Sequence, residues 1–167
     1  MIYIDTRQQS GKHRNIDDWL AVHGVATEYK KLDYGDYMTD GSNLSIDTKQ
    51  SVQEVAANVG RDHARFVREI ERANEAGCRL IVLVEERPEY ADREELGKWV
   101  SGVCRRCRRC HPLYCKCKTK RNKPLNGPVL KKIIEKLEQD HGVRFEFCRR
   151  RDTARIICDL LGVEYKQ

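Results

Sequence analysis

Two aspartates and a lysine carry the chemistry that this sequence is equipped to do. In LDYGDYMTDGSNLSIDTKQ, residues 32–50, Asp36 opens one short apolar-alternating run, and Asp47 and Lys49 close the next, with a turn at Asp40-Gly41-Ser42 between them. Such a turn brings the two runs side by side as strands, and Asp47 and Lys49, two apart, then point to one face. Two carboxylates on neighbouring strands are what a hard cation such as Mg²⁺ or Mn²⁺ takes as protein ligands, and the backbone carbonyl of Thr48 adds a third oxygen. A cation held there polarises a phosphoryl oxygen and readies a water. A lysine on the same face orients that water or offsets charge building on the phosphate. The implied chemistry is phosphodiester hydrolysis. The competing reading is plain surface charge, because acid-x-Lys recurs by chance in long sequences.

The elements that must position these residues follow from the pattern of apolar positions. MIYID reads as a buried strand and IDDWLAVHG as a helix closed by Gly24. VATEYKKL, YGDYMTD and NLSIDTK read as a meander of two or three antiparallel strands. Residues 51–76 form the longest helical pattern, interrupted at Gly60. CRLIVLVEE (78–86) is a continuous apolar run, the mark of a strand covered on both faces. A short helix around 92–99 follows, then a helix from Pro128 to Gly142, the strand VRFEF, and a last helix over 152–161 opened by an acidic cap. Helices alternating with buried strands predict a three-layer α/β domain with a central mixed sheet spanning 1–167.

Composition bounds the partners. The 167 residues carry a formal charge of +6, and residues 104–123 hold nine Lys or Arg and no acid. Such a block suits a polyanion, nucleic acid before an acidic membrane surface, or else a solvated loop. The N-terminus has no signal-peptide pattern and no apolar run approaches the ~20 residues of a membrane helix, so a soluble, cytoplasmic protein is expected. Of eight cysteines, Cys78, Cys148 and Cys158 sit singly in apolar patterns, whereas five crowd into 104–117. In a reducing compartment that cluster points to structural Zn²⁺, held by four of Cys104, Cys107, Cys110, His111, Cys115 and Cys117. The stretch 102–124 is then a zinc-binding insertion, and a metal-free reduced loop is the alternative. Arg105, Arg106, Arg108, Arg109, Lys116 and Lys118 between the ligands would face phosphate, with strongly salt-dependent binding.

The acid, acid-x-Lys pattern is that of the PD-(D/E)XK nucleases, and the wider sequence resembles one branch of them. Asp5-Thr6-Arg7-Gln8 after the first strand, Gly35-Asp36-Tyr37, and Asp47-Thr48-Lys49 match in order and spacing the motifs of the XPF-type structure-specific endonucleases. The small stand-alone versions of phages and prophages also share DTRQQ.GKH, DH.RF and NG…GVRFEFC, here within 5–13, 62–66 and 126–148. The resemblance implies a restriction-endonuclease-like fold and a metal-dependent endonuclease acting on branched or junction DNA. It also implies a tendency to form a homodimer, and a bacterial or phage-infected cell as the setting. Three positions depart from the family: Gln8 replaces a carboxylate, Asp47 a glutamate and Thr48 an arginine.

By the same resemblance Asp5 joins Asp36, Asp47 and Lys49 as a catalytic candidate, against an ordinary turn acid. Arg7 is a phosphate contact or a partner for Asp5. Arg61, Arg65 and Arg68, with His63 among them, are expected along one face of the long helix as a backbone-tracking stripe, or as a solvated basic face. A rival reading from another class is a catalytically inactive zinc-containing DNA-binding protein on a nuclease-like scaffold.

Overall fold

Alternation along one strand organises the molecule, whose computed structural model describes residues 1–8, 13–107 and 124–166. In β5 (Arg79–Glu86), Leu80, Val82 and Val84 enter one apolar cluster and Ile81 and Leu83 another. Successive strand residues point to opposite faces, so β5 is a central strand with helices on both sides.

β5 belongs to a six-stranded sheet in the order β2-β1-β3-β4-β5-β6. Its other members are β1 (Ile2–Asp5), β2 (Thr27–Lys30), β3 (Tyr37–Thr39), β4 (Leu44–Lys49) and β6 (Arg144–Arg149). β3 runs antiparallel to β1 and β4, and all other neighbours are parallel, which makes the sheet mixed. Helices α1 (Arg14–Val22) and α6 (Thr153–Leu161) cover the face that carries Ile2, Ile4, Tyr37 and Ile46. Helices α2 (Val52–Val59), α3 (His63–Glu75) and α5 (Gly127–His141) cover the face of Leu80, Val82, Val84 and Phe145. The expected α/β architecture is therefore the observed one. No described helix is long and apolar enough to cross a membrane.

Two details differ from the sequence expectation. Only the second and third strands of the supposed meander form a hairpin; β2 pairs parallel to β1, from Ile2 opposite Thr27 to Asp5 opposite Lys30. The reason is α1, which carries the chain back before β2 begins, as a crossover to a parallel neighbour must. β2 is fully exposed and forms one edge of the sheet. At α6, Asp152 occupies the cap position but its side chain caps nothing. Its φ/ψ of −97/−7 is already helical, whereas a capping side chain turns back onto the helix from an extended residue.

Other boundaries fall where the sequence put them. Gly60 separates α2 from α3, and a Cβ there would lie 2.8 Å from the Ala56 carbonyl oxygen. The expected short helix around 92–99 is a 3-10 turn, Glu94–Lys98. α5 begins with the Asn126 side chain accepting the Val129 N–H at 3.0 Å and ends at Gly142, whose φ is 68°. Gly127 opens α5 against that 3-10 turn, where a Cβ would lie 2.4 Å from the Leu96 and 2.6 Å from the Gly97 carbonyl oxygens. Backbone cannot yield as a side-chain tip can, so Gly127→Ala should cost about 3 kcal/mol. Gly142→Ala, with open space around it and strained only in φ, should cost about 1 kcal/mol. Urea unfolding of both variants checks this, and equal losses would refute the steric account.

Candidate active site

Strand pairing alone brings the acids together. Ile4 lies opposite Tyr37, and Tyr37 opposite Ile46. One residue further on stand Asp5, Asp36 and Asp47, joined by Asp5 N–H donating to the Asp36 carbonyl at 2.9 Å and Asp36 N–H to the Ile46 carbonyl at 2.7 Å. Because Ile4 and Ile46 enter the α1/α6 core, Asp5, Asp47 and Lys49 fall on the opposite face, beside α2 and α3. The approach of this loop to β4 depends on Gly35. Its φ is 63°, and a Cβ would lie 2.3 Å from Ser45 Oγ and 2.8 Å from the Ile46 carbonyl oxygen.

The two acids of the hairpin differ sharply in surroundings. Asp36 Oδ2 reaches across to β4, accepting the Thr48 N–H at 2.8 Å and the Thr48 hydroxyl at 2.5 Å. A strand residue aims its N–H and C=O at the same edge, so the Thr48 carbonyl faces the side from which Asp36 approaches. Asp47 is 7% exposed. Lys49 Nζ donates to its Oδ1 at 2.8 Å and lies 2.6 Å from Oδ2, yet Oδ2 completes no hydrogen bond among the described residues. Burial pushes the Asp47 carboxyl up, to about 7, against the pull of Lys49, and the charge of Asp36 adds to the rise. For Lys49, burial works downward but is outweighed by Asp47, Asp36 and Glu54, so its ammonium is held above its ordinary value. A desolvated carboxylate beside a second carboxylate suits a hard oxygen-seeking cation.

Asp5 sits deeper in a different set of contacts. Arg7 Nε donates to its Oδ2 at 2.8 Å, Arg7 NH2 lies 2.6 Å from the same oxygen, and the Arg7 N–H reaches Oδ1 at 3.1 Å. Burial works to raise the Asp5 carboxyl, but Arg7 and the Leu32 N–H outweigh it and hold it below the ordinary range. Arg7 also donates to the Leu32 carbonyl at 2.5 Å, so it partners Asp5 and ties down the end of β2. Gln8 Oε1 is 3.4 Å from the Tyr37 hydroxyl, while its buried Nε2 has no hydrogen bond among the described residues.

Two glutamates reach this region that the hairpin pattern did not nominate. Glu54 of α2 accepts the Gln50 N–H at 2.9 Å, and its charge bears on Lys49. Its local signal was present in Ser51-Val-Gln-Glu54, a capping-box sequence in which Ser51 Oγ accepts the Glu54 N–H at 3.2 Å. Glu69 of α3 bears on both Asp47 and Arg7, through a juxtaposition that no local pattern signals.

The expected arginine stripe is not a stripe. Arg61 falls in the turn before α3, which starts at His63, so of the three arginines only Arg65 and Arg68 lie on the helix. Asp62 draws in Arg61 at 3.2 Å and Arg65 at 4.0 Å. His63 Nδ1 is 3.1 Å from the Val59 carbonyl oxygen and closes the end of α2. Further along, Cys104 is buried in the short helix α4 (Gly102–Arg105), Cys107 is half-buried, and Arg105 and Arg106 are exposed. Cys110, His111, Cys115, Cys117, Arg108, Arg109, Lys116 and Lys118 lie outside the described residues. Among the described residues no disulfide forms, and no group of three or more His, Cys, Asp or Glu converges as a metal site.

A mixed sheet between helix layers, with two acids and a lysine gathered at the end of its hairpin, has the form of a restriction-endonuclease-like nuclease. Residues 4–160 match the ERCC4 domain. The chain therefore belongs to that family and is an XPF-type nuclease domain, whose substrate is DNA. No curated protein matches it significantly.

The Asp5–Arg7 pair makes a prediction about pH. The folded Asp5 carboxyl titrates below its ordinary value of 3.8, so the pair stabilises the fold fully above that pH and loses its contribution as pH falls through the folded value. Asp5→Asn should lower the urea midpoint at pH 7 and show a smaller deficit at pH 3. A deficit independent of pH would mean that the ion pair is not its source.

Proposed function

We propose that the chain is a divalent-metal-dependent DNA endonuclease that hydrolyses phosphodiester bonds in branched or junction DNA. The observation that carries this reading is the gathering, at one end of the hairpin, of the Asp36 carboxylate and the buried Asp47 carboxylate with the Lys49 ammonium held against it. Asp36, Asp47 and the Thr48 carbonyl would hold Mg²⁺ or Mn²⁺, which keeps most of its remaining positions for water and phosphate oxygens. When bound, the cation polarises the phosphoryl oxygen and lowers the pKa of an attacking water. The chain's own residues do the positioning. Thr48 fixes the Asp36 carboxylate through two hydrogen bonds, leaving Oδ1 for the cation. Asp47 holds the Lys49 ammonium at the mouth of the site, where it donates to the attacking water or to a phosphate oxygen. Arg7, engaged by Asp5, braces the wall of the site, so its proposed role is as a partner of Asp5 and not as a phosphate grip.

Branched DNA as substrate, a homodimer and a phage-type setting rest on the family resemblance. In the same reading one nuclease domain spans 1–167, and the Cys-rich insertion 102–124 carries structural zinc and basic residues that grip DNA. Cysteine spacing supports the zinc.

Cleavage of labelled duplex, single-strand, flap, fork and four-way DNA with Mg²⁺ or Mn²⁺ against EDTA tests the proposal. Asp36→Asn and Asp47→Asn should abolish metal-dependent cutting, and Lys49→Ala should reduce it by roughly a hundredfold to a thousandfold, with DNA binding retained. Tight binding without cutting under any metal would instead leave an inactive DNA-binding scaffold. For the insertion, elemental analysis should find about one zinc per chain, reduced in Cys107→Ser; a metal-free purified protein would refute it.

A further inference from the structure

A second phosphate site emerges where β5 and β6 end. A cavity of about 460 Å³ opens there, lined by Arg87, Arg149, Arg150 and Arg151 together with Glu85 and Glu86. The two acids are already engaged. Glu86 accepts the Val52 N–H at 3.1 Å and the Arg87 N–H at 3.0 Å. Glu85 is buried, accepts the Thr153 hydroxyl at 2.8 Å, and lies 3.8 Å from Arg150 Nε. Arg151 lies 3.9 Å from the Asp152 carboxylate. Arg87 and Arg149 are exposed and make no ion pair among the described residues. The cavity thus presents guanidinium groups in excess of its acids, and their planar forks match phosphate oxygens.

Its position relative to the hairpin gives the charge a use. Gln50, the residue after Lys49, lines the same cavity. Lys49 lies opposite Val84, and two residues further along β5 Glu86 lies opposite Arg149. Arg149 is therefore two strands across, roughly 10 Å, and two residues along, roughly 7 Å, from Lys49, about 12 Å in all. A DNA strand advances about 3.4 Å along its axis per phosphate, so that distance is a few nucleotides.

We propose that this cavity holds the sugar–phosphate backbone of the strand being cut, a few nucleotides from the scissile bond. The inference rests on the nuclease reading and adds to it a path: the cleaved strand passes between the hairpin and the ends of β5 and β6. The group recognised is a phosphate internal to the strand, and a terminal phosphate is the competing ligand that the test separates from it.

The full chain is titrated with a labelled single-stranded DNA in EDTA over a range of salt. The Arg87→Gln, Arg149→Gln double variant should bind about tenfold more weakly at low salt. Its slope of log affinity against log salt should be shallower by roughly 0.7 for each phosphate that it no longer neutralises. Arg155→Gln, on the exposed side of α6 where Arg155 pairs with Asp159, should change neither. In cleavage assays of the active protein, a single methylphosphonate stepped along the strand should slow the wild type at one position a few nucleotides from the cut and leave the double variant unaffected there. Equal binding by the double variant and the wild type, while the wild type still cuts, would overturn the cavity's role alone. Weakening by Arg155→Gln to the same extent would likewise overturn it, as would a response confined to a terminal phosphate. A wild type that neither binds nor cuts DNA would instead overturn the nuclease reading.

Discussion

Just before β3 the backbone at Gly35 lies so close to β4 that a single methyl group would meet Ser45 and the Ile46 carbonyl. This contact fixes the register of the hairpin, and register decides which face every β4 side chain occupies. With Ile46 in the α1/α6 core, Asp47 and Lys49 emerge on the other face. A slip of one residue would drive both charges into the apolar α1/α6 cluster, and burying unpaired charge is among the most destabilising changes a fold can suffer. Tyr37, fully buried and paired with both Ile4 and Ile46, carries the same register on to β1 and so to Asp5.

The site built on that register is assembled from groups that fit poorly with stability. Asp47 is taken out of water, and its carboxyl titrates high as a result. Lys49 offsets part of this, and the negative charges of Asp36 and Glu69 work the other way. Local disagreement between burial and polarity is expected where a fold supports chemistry. Asp5 is the contrast: it is satisfied by Arg7 and Leu32, and its carboxyl titrates low. Two acids on one face of the sheet thus differ in kind, one held low by its donors and one pushed up by burial.

Cationic side chains divide in a similar way. Arg7, Arg61 and Arg65 stand where the sequence suggested DNA contacts, and each is drawn to a nearby aspartate. The run Cys148-Arg-Arg-Arg-Asp152 carried no site assignment from the sequence, yet its arginines gather with Arg87 around acids already occupied by other donors. A count of charges along the chain does not distinguish these cases, because it is blind to which acids the fold brings within reach.

Much of this molecule was legible in one dimension. The continuous apolar run of β5 marked a strand with cover on both faces, Gly60 and Gly142 marked helix ends, and the spacing of Asp36, Asp47 and Lys49 marked a hairpin that gathers them at one end. These signals are local: they depend on the period of the side chains and on the backbone freedom of single residues, both written in the sequence. The parallel pairing of β2, the capture of Arg7 by Asp5, the arrival of Glu54 and Glu69 beside the acids, and the gathering of arginines at the ends of β5 and β6 were decided only by tertiary structure. Each depends on sheet order and on which helix crosses which face. Periodicity tells a segment which side to bury, but not which distant segment will lie beside it.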